Sequence, residues 1–300
     1  MILSVDARAK INLALDILYK RSDGYHEVEM VMQEITLADK VLLDGDADEI
    51  SVSTNIPDLS CGQDNLAYRA AALIRDTLKI RRGVRITLDK RIPVAAGLAG
   101  GSANAAAVLK GLNQLWGLGL SLRELEELGS SLGSDVPFCL NGGTMLATGR
   151  GEKLSSLPGL AEVYVVLAKP PVAVSTAWVY GNYRPEIVTH HPDIPGMVAC
   201  LEKRDLPGVA GKMANVLESV TMAAYSEISD LKNLMLDCGL VASMMSGSGP
   251  TVFGLTADYR KAHAVAELLR RNTAAWVAIA ETVDDSEGKH GAAVRTYKTE

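Results

Sequence analysis

The chain has 300 residues, 48% hydrophobic and 22% charged, the balance of a globular protein with one large or two medium domains. A formal net charge of -6 excludes nucleic acid or an acidic membrane surface as the main partner, since both select basic surfaces. Any anion this chain binds must be held by local geometry rather than by a global field.

Cys61, Cys139, Cys200 and Cys238 form no C-x-x-C pair and no zinc spacing with histidine, so they read as reduced thiols of a cytoplasmic protein. The first nine residues carry Asp6 and Arg8 and no apolar core, so no signal peptide is expected. No stretch approaches the roughly eighteen apolar residues of a membrane span.

Residues 9–17 alternate: Ile11, Leu13, Leu15 and Ile17 share one face of a strand, and Lys10, Asn12 and Asp16 share the other. The turn cluster Arg21-Ser22-Asp23-Gly24 precedes a second alternating strand with Val28, Met30 and Met32. Residues 41–43 and 50–53 read as a hairpin around Asp44-Gly45-Asp46. Asp64 is placed to cap a helix whose apolar stripe is Leu66, Ala70, Leu73, Ile74 and Leu78.

A strand with Val84, Ile86 and Leu88 then leads into Pro93-Val94-Ala95-Ala96-Gly97-Leu98-Ala99-Gly100-Gly101-Ser102-Ala103-Asn104, and a helix is expected over 105–116. Ser121 and Glu124 form a capping box that opens a helix ending near Gly133, and Ser134-Asp135-Val136-Pro137 reads as a turn or a helix start. Strands at 144–148 and 162–167 flank the Gly149-Arg150-Gly151 turn.

Beyond residue 154 the texture changes. Helical runs fill 175–238. A strand at 242–245, the loop Ser246-Gly247-Ser248-Gly249-Pro250, a strand at 251–255, a helix at 259–271 and a strand at 276–283 complete an α+β second half. The expected domains are 1–154 and 155–300, with a polar, mobile tail at 284–300.

The stretch from Pro93 to Asn104 carries the strongest chemical signal. Strand, small-residue loop and helix N-terminus together make a phosphate cradle, with free N–H groups and the positive end of the helix dipole facing the anion. A Walker loop is excluded because Gly101 is followed by Ser102 and Ala103 rather than by lysine; Gly97, Gly100 and Gly101 do not fit a dinucleotide fingerprint. The plainer reading is a tight connection that binds nothing, but twelve residues exceed what a connection needs.

Lys10 is a candidate cation on a polar strand face, or a lysine that snorkels to solvent. Asp135 is a candidate base, or a helix N-cap. The Tyr25-His26 pair can stack on a ring and read its polar edge. Gly247 and Ser248 sit in a second glycine loop able to wall a phosphate site.

These pieces resemble three motifs of the GHMP kinases: Ala9-Lys10-Ile11-Asn12, the loop from Pro93 to Asn104, and Ser246-Gly247-Ser248-Gly249-Pro250. Arg21-Ser22-Asp23-Gly24-Tyr25-His26 and Leu132-Gly133-Ser134-Asp135-Val136-Pro137 narrow the resemblance to members that phosphorylate a cytidine-bearing sugar alcohol on the non-mevalonate route to isoprenoid precursors. It covers the chain to about Val283.

The resemblance implies a two-domain α+β fold: a half like ribosomal protein S5 domain 2, a ferredoxin-like half, and an active site in the cleft between them. It implies ATP and Mg²⁺, small-molecule partners, no nucleic acid and no membrane. By the same resemblance Asp135 accepts or orients the hydroxyl proton, while Lys10 keeps Asp135 ionised and offsets phosphoryl charge. Pro93, Val94, Ala95, Ala96, Gly97, Leu98, Ala99, Gly100, Gly101, Ser102 and Ala103 form the ATP-phosphate loop. Asn12, Tyr25, His26, Tyr180, Gly247 and Ser248 hold the acceptor. Many relatives have glycine, and a second serine, where this chain has Ala95, Ala96, Ala99 and Ala103. No acidic residue is assigned to Mg²⁺. A GHMP kinase with a small acceptor such as homoserine, a nucleotide-binding regulator without catalysis, and a structural or RNA-associated module are the competing readings.

Overall fold

The computed structural model describes residues 2–160, 162–284 and 294–297. The alternation around Lys10 extends along a far longer strand, β1 (Ile2–Lys20), which turns through Asp23-Gly24 into β2 (His26–Asp44). The two pair antiparallel along most of their length, with irregularities between Arg8 and Lys10, Asn12 and Ala14, and Ile17 and Tyr19.

β2 is one strand where the sequence reading divides it. Gln33, Glu34 and Asp39 break the apolar alternation, yet all three are buried. Gln33 donates to the carbonyls of Glu34 and Val283, each at 2.9 Å, and accepts from the Thr144 hydroxyl at 2.7 Å. Burial of polar groups satisfied by distant partners is invisible to a periodicity count.

β3 (Ile50–Thr54) is not the hairpin partner of β2. It runs parallel to a later strand, and α1 (Leu66–Thr77) makes the crossover such a pair requires before β4 (Val84–Asp89) inserts between β2 and β3. Asn65, rather than Asp64, caps α1: its Oδ1 accepts from Ala67 N–H at 2.9 Å. α2 (Gly100–Leu115) starts five residues before the expected Ala105, so Gly100, Gly101 and Ser102 form its first turn.

The small residues of α2 let it lie close on β1 and β2. A Cβ on Gly111 would stand 2.2 Å from Leu43 Cδ1. Ala103, Ala106, Leu109 and Leu112 join Leu3, Val5, Leu43 and Ile86 in one apolar core. α3 (Leu122–Leu132) opens with the expected capping box, both bonds formed, and stops at Gly133. α4 (Val136–Asn141) follows.

β5 (Thr144–Thr148) pairs with β2, and β6 (Lys153–Leu157) pairs with β5 across the Gly149-Arg150-Gly151 turn. The strand expected at 162–167 is β7 (Tyr164–Lys169); it belongs to a second sheet, not to that hairpin. The helical stretch resolves into α5 (Thr176–Asn182), a 3₁₀ turn at Pro185–Ile187, α6 (Ile194–Glu202) and α7 (Leu206–Ala210). The two-residue strand β8 (Ala214–Asn215), parallel to β1, separates these from α8 (Glu218–Ala224) and α9 (Ser226–Asp237).

β9 (Ala242–Met245), β10 (Val252–Thr256), α10 (Tyr259–Asn272) and β11 (Trp276–Glu281) fall where the sequence places them. The second sheet has the order β11-β7-β10-β9 and is antiparallel throughout, a ferredoxin-like split βαβ arrangement. The tail departs from expectation in one segment. β12 (Val294–Tyr297) pairs with Ile2 to Val5 of β1; positions 285–293 and 298–300 lie outside the described residues.

A third apolar cluster lies between the sheets. Ile11 and Leu13 of β1 meet Val165 and Leu167 of β7 and Phe253 of β10, with Ala96 and Leu98 of the glycine loop packed among them. Each buried side chain of this size stabilises the junction by roughly 1.5–3 kcal/mol. The loop is therefore rooted in the junction. Among the described residues no helix is long and apolar enough to cross a membrane.

Candidate active site

A cleft of about 1140 Å³ opens where the two sheets meet. Lys10 and Asn12 reach it from β1. Tyr25 and His26 come from the β1–β2 turn, Asp135 from the start of α4, Tyr180 from α5, and Gly247 and Ser248 from the β9–β10 loop. Pro93, Val94, Ala95, Ala96, Gly97, Ala99, Gly100, Gly101 and Ser102 line it as well. Leu98 and Ala103 do not: they are 1% and 2% exposed and serve the apolar cores.

The glycine loop is clamped from two sides. Lys10 N–H donates to the Leu98 carbonyl at 3.2 Å, and the Ser246 hydroxyl donates to the Gly97 carbonyl at 3.0 Å. Gly97 has φ +74°, and a Cβ there would lie 2.3 Å from the Ser246 carbonyl oxygen, so only glycine fits. Ala95 and Ala99 adopt φ +50° and +58°, the left-handed region that disfavours any Cβ.

Lys10 does not snorkel. It is 4% exposed, and its ammonium donates to Asn12 Oδ1 at 2.6 Å. The β9–β10 loop passes over this pair: a Cβ on Gly247 would stand 3.5 Å from both Lys10 Nζ and Asn12 Oδ1. That loop is held by Asn215, whose Nδ2 donates to the carbonyls of Met245 and Gly247 at 2.9 and 2.8 Å. Ser248 Oγ and Thr176 Oγ1 share a hydrogen bond of 2.8 Å.

Asp135 occupies the N-cap position of α4 but makes no capping bond. Among the described residues no hydrogen bond or ion pair ties down its carboxylate, and none joins it directly to Lys10. Burial, reinforced by the charge of Asp135, pushes the Tyr180 phenol well above its usual range. Burial likewise raises the Cys139 thiol, which feels Asp135 and Glu34 as well, so Cys139 stays protonated. His26 lies 5.5 Å from the Tyr180 ring; burial, then the Lys20 charge, lowers its pKa, favouring neutral imidazole.

Sequence reasoning misses several cleft residues, Lys90, Asn65 and Arg150 among them. Lys90, at the entrance to the glycine loop, is 8% exposed, pairs with the fully buried Asp39 and donates to Asn104 Oδ1 at 2.9 Å. Asp39 also accepts from Asn104 Nδ2 at 2.8 Å and from the N–H groups of Arg91 and Ile92 at 2.7 and 2.8 Å. Asn104 lies inside α2 and serves this cluster beneath the loop. Asn65 and Arg150 also line the cleft. The local sequence signal for Lys90 is a charge between a strand and a glycine loop; its acidic partner is 51 residues away.

The arrangement supplies amide donors at a helix start, a buried ammonium, an uncommitted carboxylate and an aromatic-imidazole wall within one cleft. These are the parts phosphoryl transfer uses.

The GHMP kinases N terminal domain model matches residues 65–143, and the GHMP kinases C terminal model matches residues 197–275. A protein of Geobacillus kaustophilus named 4-diphosphocytidyl-2-C-methyl-D-erythritol kinase is 54% identical over 85% of this chain and 88% of its own. One of the same name from Listeria monocytogenes serotype 4a is 50% identical over 90% and 93%. A crystal structure of 4-(cytidine 5'-diphospho)-2C-methyl-D-erythritol kinase superposes with a TM-score of 0.79 at 34% identity, covering 93% of this chain and 99% of that one. Homoserine kinase from Cytophaga hutchinsonii shares the fold, with a TM-score of 0.78 at 22% identity over 98% and 97%. The chain belongs to the GHMP kinases.

Proposed function

We propose that this protein transfers the terminal phosphoryl group of ATP to the 2-hydroxyl of 4-diphosphocytidyl-2-C-methyl-D-erythritol, a step of the non-mevalonate isoprenoid route, in the cytoplasm. The observation that carries the reading is the shared cleft. An amide-lined loop, the Lys10 ammonium and the Asp135 carboxylate face the same space as Tyr25, His26 and Tyr180.

The 93–102 loop and the first turn of α2 hold the phosphates through N–H groups and the helix dipole. Asp135 orients the attacking hydroxyl and takes its proton, since among the described residues no bond occupies its carboxylate. Lys10, fixed by Asn12, offsets the charge that develops on the transferred group. Tyr25, His26 and Tyr180 seat the cytosine, and Gly247 and Ser248 close the wall above Lys10. Residues 1–154 form the unit carrying loop, ammonium and carboxylate; residues 155–300 supply that wall.

Mg²⁺ would enter with ATP and neutralise phosphate charge. Among the described residues no cluster of three His, Cys, Asp or Glu is built for a metal. Phosphate oxygens, water and the Ser102 hydroxyl suit an ion that keeps much of its hydration. A small-acceptor kinase has no use for the aromatic-imidazole wall, which sets the homoserine reading aside.

ADP release followed with the cytidine-bearing acceptor, homoserine and mevalonate in parallel tests the assignment, with turnover expected only on the first. Asp135→Asn should keep the fold and the KM for ATP and lose about 10²- to 10⁴-fold in turnover. Turnover of Asp135→Asn at the parent rate would refute the base role.

A further inference from the structure

The β5–β6 turn carries a cation that the mechanism above leaves unused. Arg150 lines the cleft with its guanidinium carbon 5.0 Å from the centroid of the Tyr25 ring. Its root is fixed: Arg150 N–H donates to Glu152 Oε2 at 2.6 Å, and Val28 N–H donates to the Gly149 carbonyl at 2.9 Å, binding the turn to β2 beside His26. Glu152 Oε2 forms an ion pair with Arg150 Nε at 3.9 Å, beyond hydrogen-bond reach.

Among the described residues the guanidinium donates no hydrogen bond. Its planar fork is positioned over an aromatic ring while its N–H groups stay uncommitted. The other cleft arginine differs: Arg184 Nη1 already donates to the Tyr183 carbonyl at 3.0 Å. An arginine fork matches phosphate oxygens two at a time, which a lysine cannot do.

The acceptor in the reading above must span from the Tyr25, His26 and Tyr180 wall to the Lys10 and Asp135 end. Its diphosphate lies between the base and the reacting hydroxyl, and the guanidinium on Tyr25 stands beside the base seat. We propose that Arg150 clamps the acceptor's diphosphate and is a specificity-determining residue of this kinase, an inference that rests on the cytidine-diphosphate assignment. The Tyr25 face holds the guanidinium by a cation–π contact, so little freedom is lost when the phosphates arrive.

The test uses the full chain with CDP and cytidine as competitive ligands against the acceptor, for the parent, Arg150→Lys and Arg150→Ala. The clamp predicts that Arg150→Ala weakens CDP and raises the acceptor KM by about 10- to 100-fold, as expected for loss of a charged bidentate contact. Cytidine affinity, the KM for ATP and turnover at saturating acceptor should each change by less than about threefold, and Arg150→Lys should fall between. Equal weakening of CDP and cytidine would mean that Arg150 acts only by shaping Tyr25, and the clamp falls. Unchanged CDP affinity overturns it too. A parent protein that neither binds CDP nor turns over the acceptor overturns the functional assignment, and the clamp with it.

Discussion

Gly97→Ala tests the clamped loop most directly. The residue holds φ +74°, where a Cβ costs about 1–2 kcal/mol. The new methyl would stand 2.3 Å from the Ser246 carbonyl oxygen and 3.0 Å from that of Gly249. Ordinary carbon–oxygen contact is about 3.3 Å, so one of the two loops must retreat by about 1 Å. Overpacking of this kind adds about 1–3 kcal/mol, for about 2–5 kcal/mol in all. In a chain of this size that lowers the melting temperature by roughly 3–8 °C.

Gly117→Ala is the matched control. Gly117 has φ +64° with nothing within 4 Å of its missing Cβ, so only the backbone cost applies. Its melting temperature should fall by about 2–3 °C. A loop displaced by about 1 Å should also cost Gly97→Ala about 100-fold in kcat/KM for ATP, with Gly117→Ala unaffected. The assays are thermal unfolding followed by circular dichroism and steady-state ADP release. If the two variants melt together and share the parent's kcat/KM, the clamp on the phosphate loop is not what the geometry says.

Asp39→Ala should destabilise the protein by about 3–5 kcal/mol in urea unfolding, because it strands the buried Lys90 ammonium and frees the N–H groups of Arg91 and Ile92. Adding Lys90→Met should restore part of that loss; if the double variant is less stable than Asp39→Ala, the stranded charge is not the cause. Ala99→Gly relieves a left-handed alanine at φ +58°, so it should be neutral or stabilise by up to about 1 kcal/mol, against the usual penalty of adding glycine. A drop in its melting temperature would argue against that strain.

Much of the site is legible along the chain, because its parts are local. The 93–104 loop announces itself by small residues between a strand and a helix, and Tyr25 and His26 by their place after Asp23-Gly24. The capping box at Ser121 and Glu124 forms as read, since both of its bonds close within three residues. Asp135 reads at first as a helix cap; only the structure shows that it fills the cap position while its carboxylate stays free.

What failed was non-local. Gln33 and Asp39 look like breaks because their partners, Thr144 and Val283 for Gln33 and Lys90 and Asn104 for Asp39, are far away in sequence. The hairpin read at 41–53 and the pairing read for 162–167 were wrong for the same reason: β4 inserts between β2 and β3, and β7 joins the second sheet.

Backbone propensity and side-chain chemistry act over a few residues, so the sequence alone determined the glycine loop, most strands and helices, and the kinds of group available for catalysis. Tertiary packing decided which of those groups share a cleft. It buried Lys10 against Asn12, set Lys90 on Asp39, sent Leu98 and Ala103 into the cores and brought Arg150 onto Tyr25. Each of these depends on which strands pair, a choice made by the whole apolar core at once.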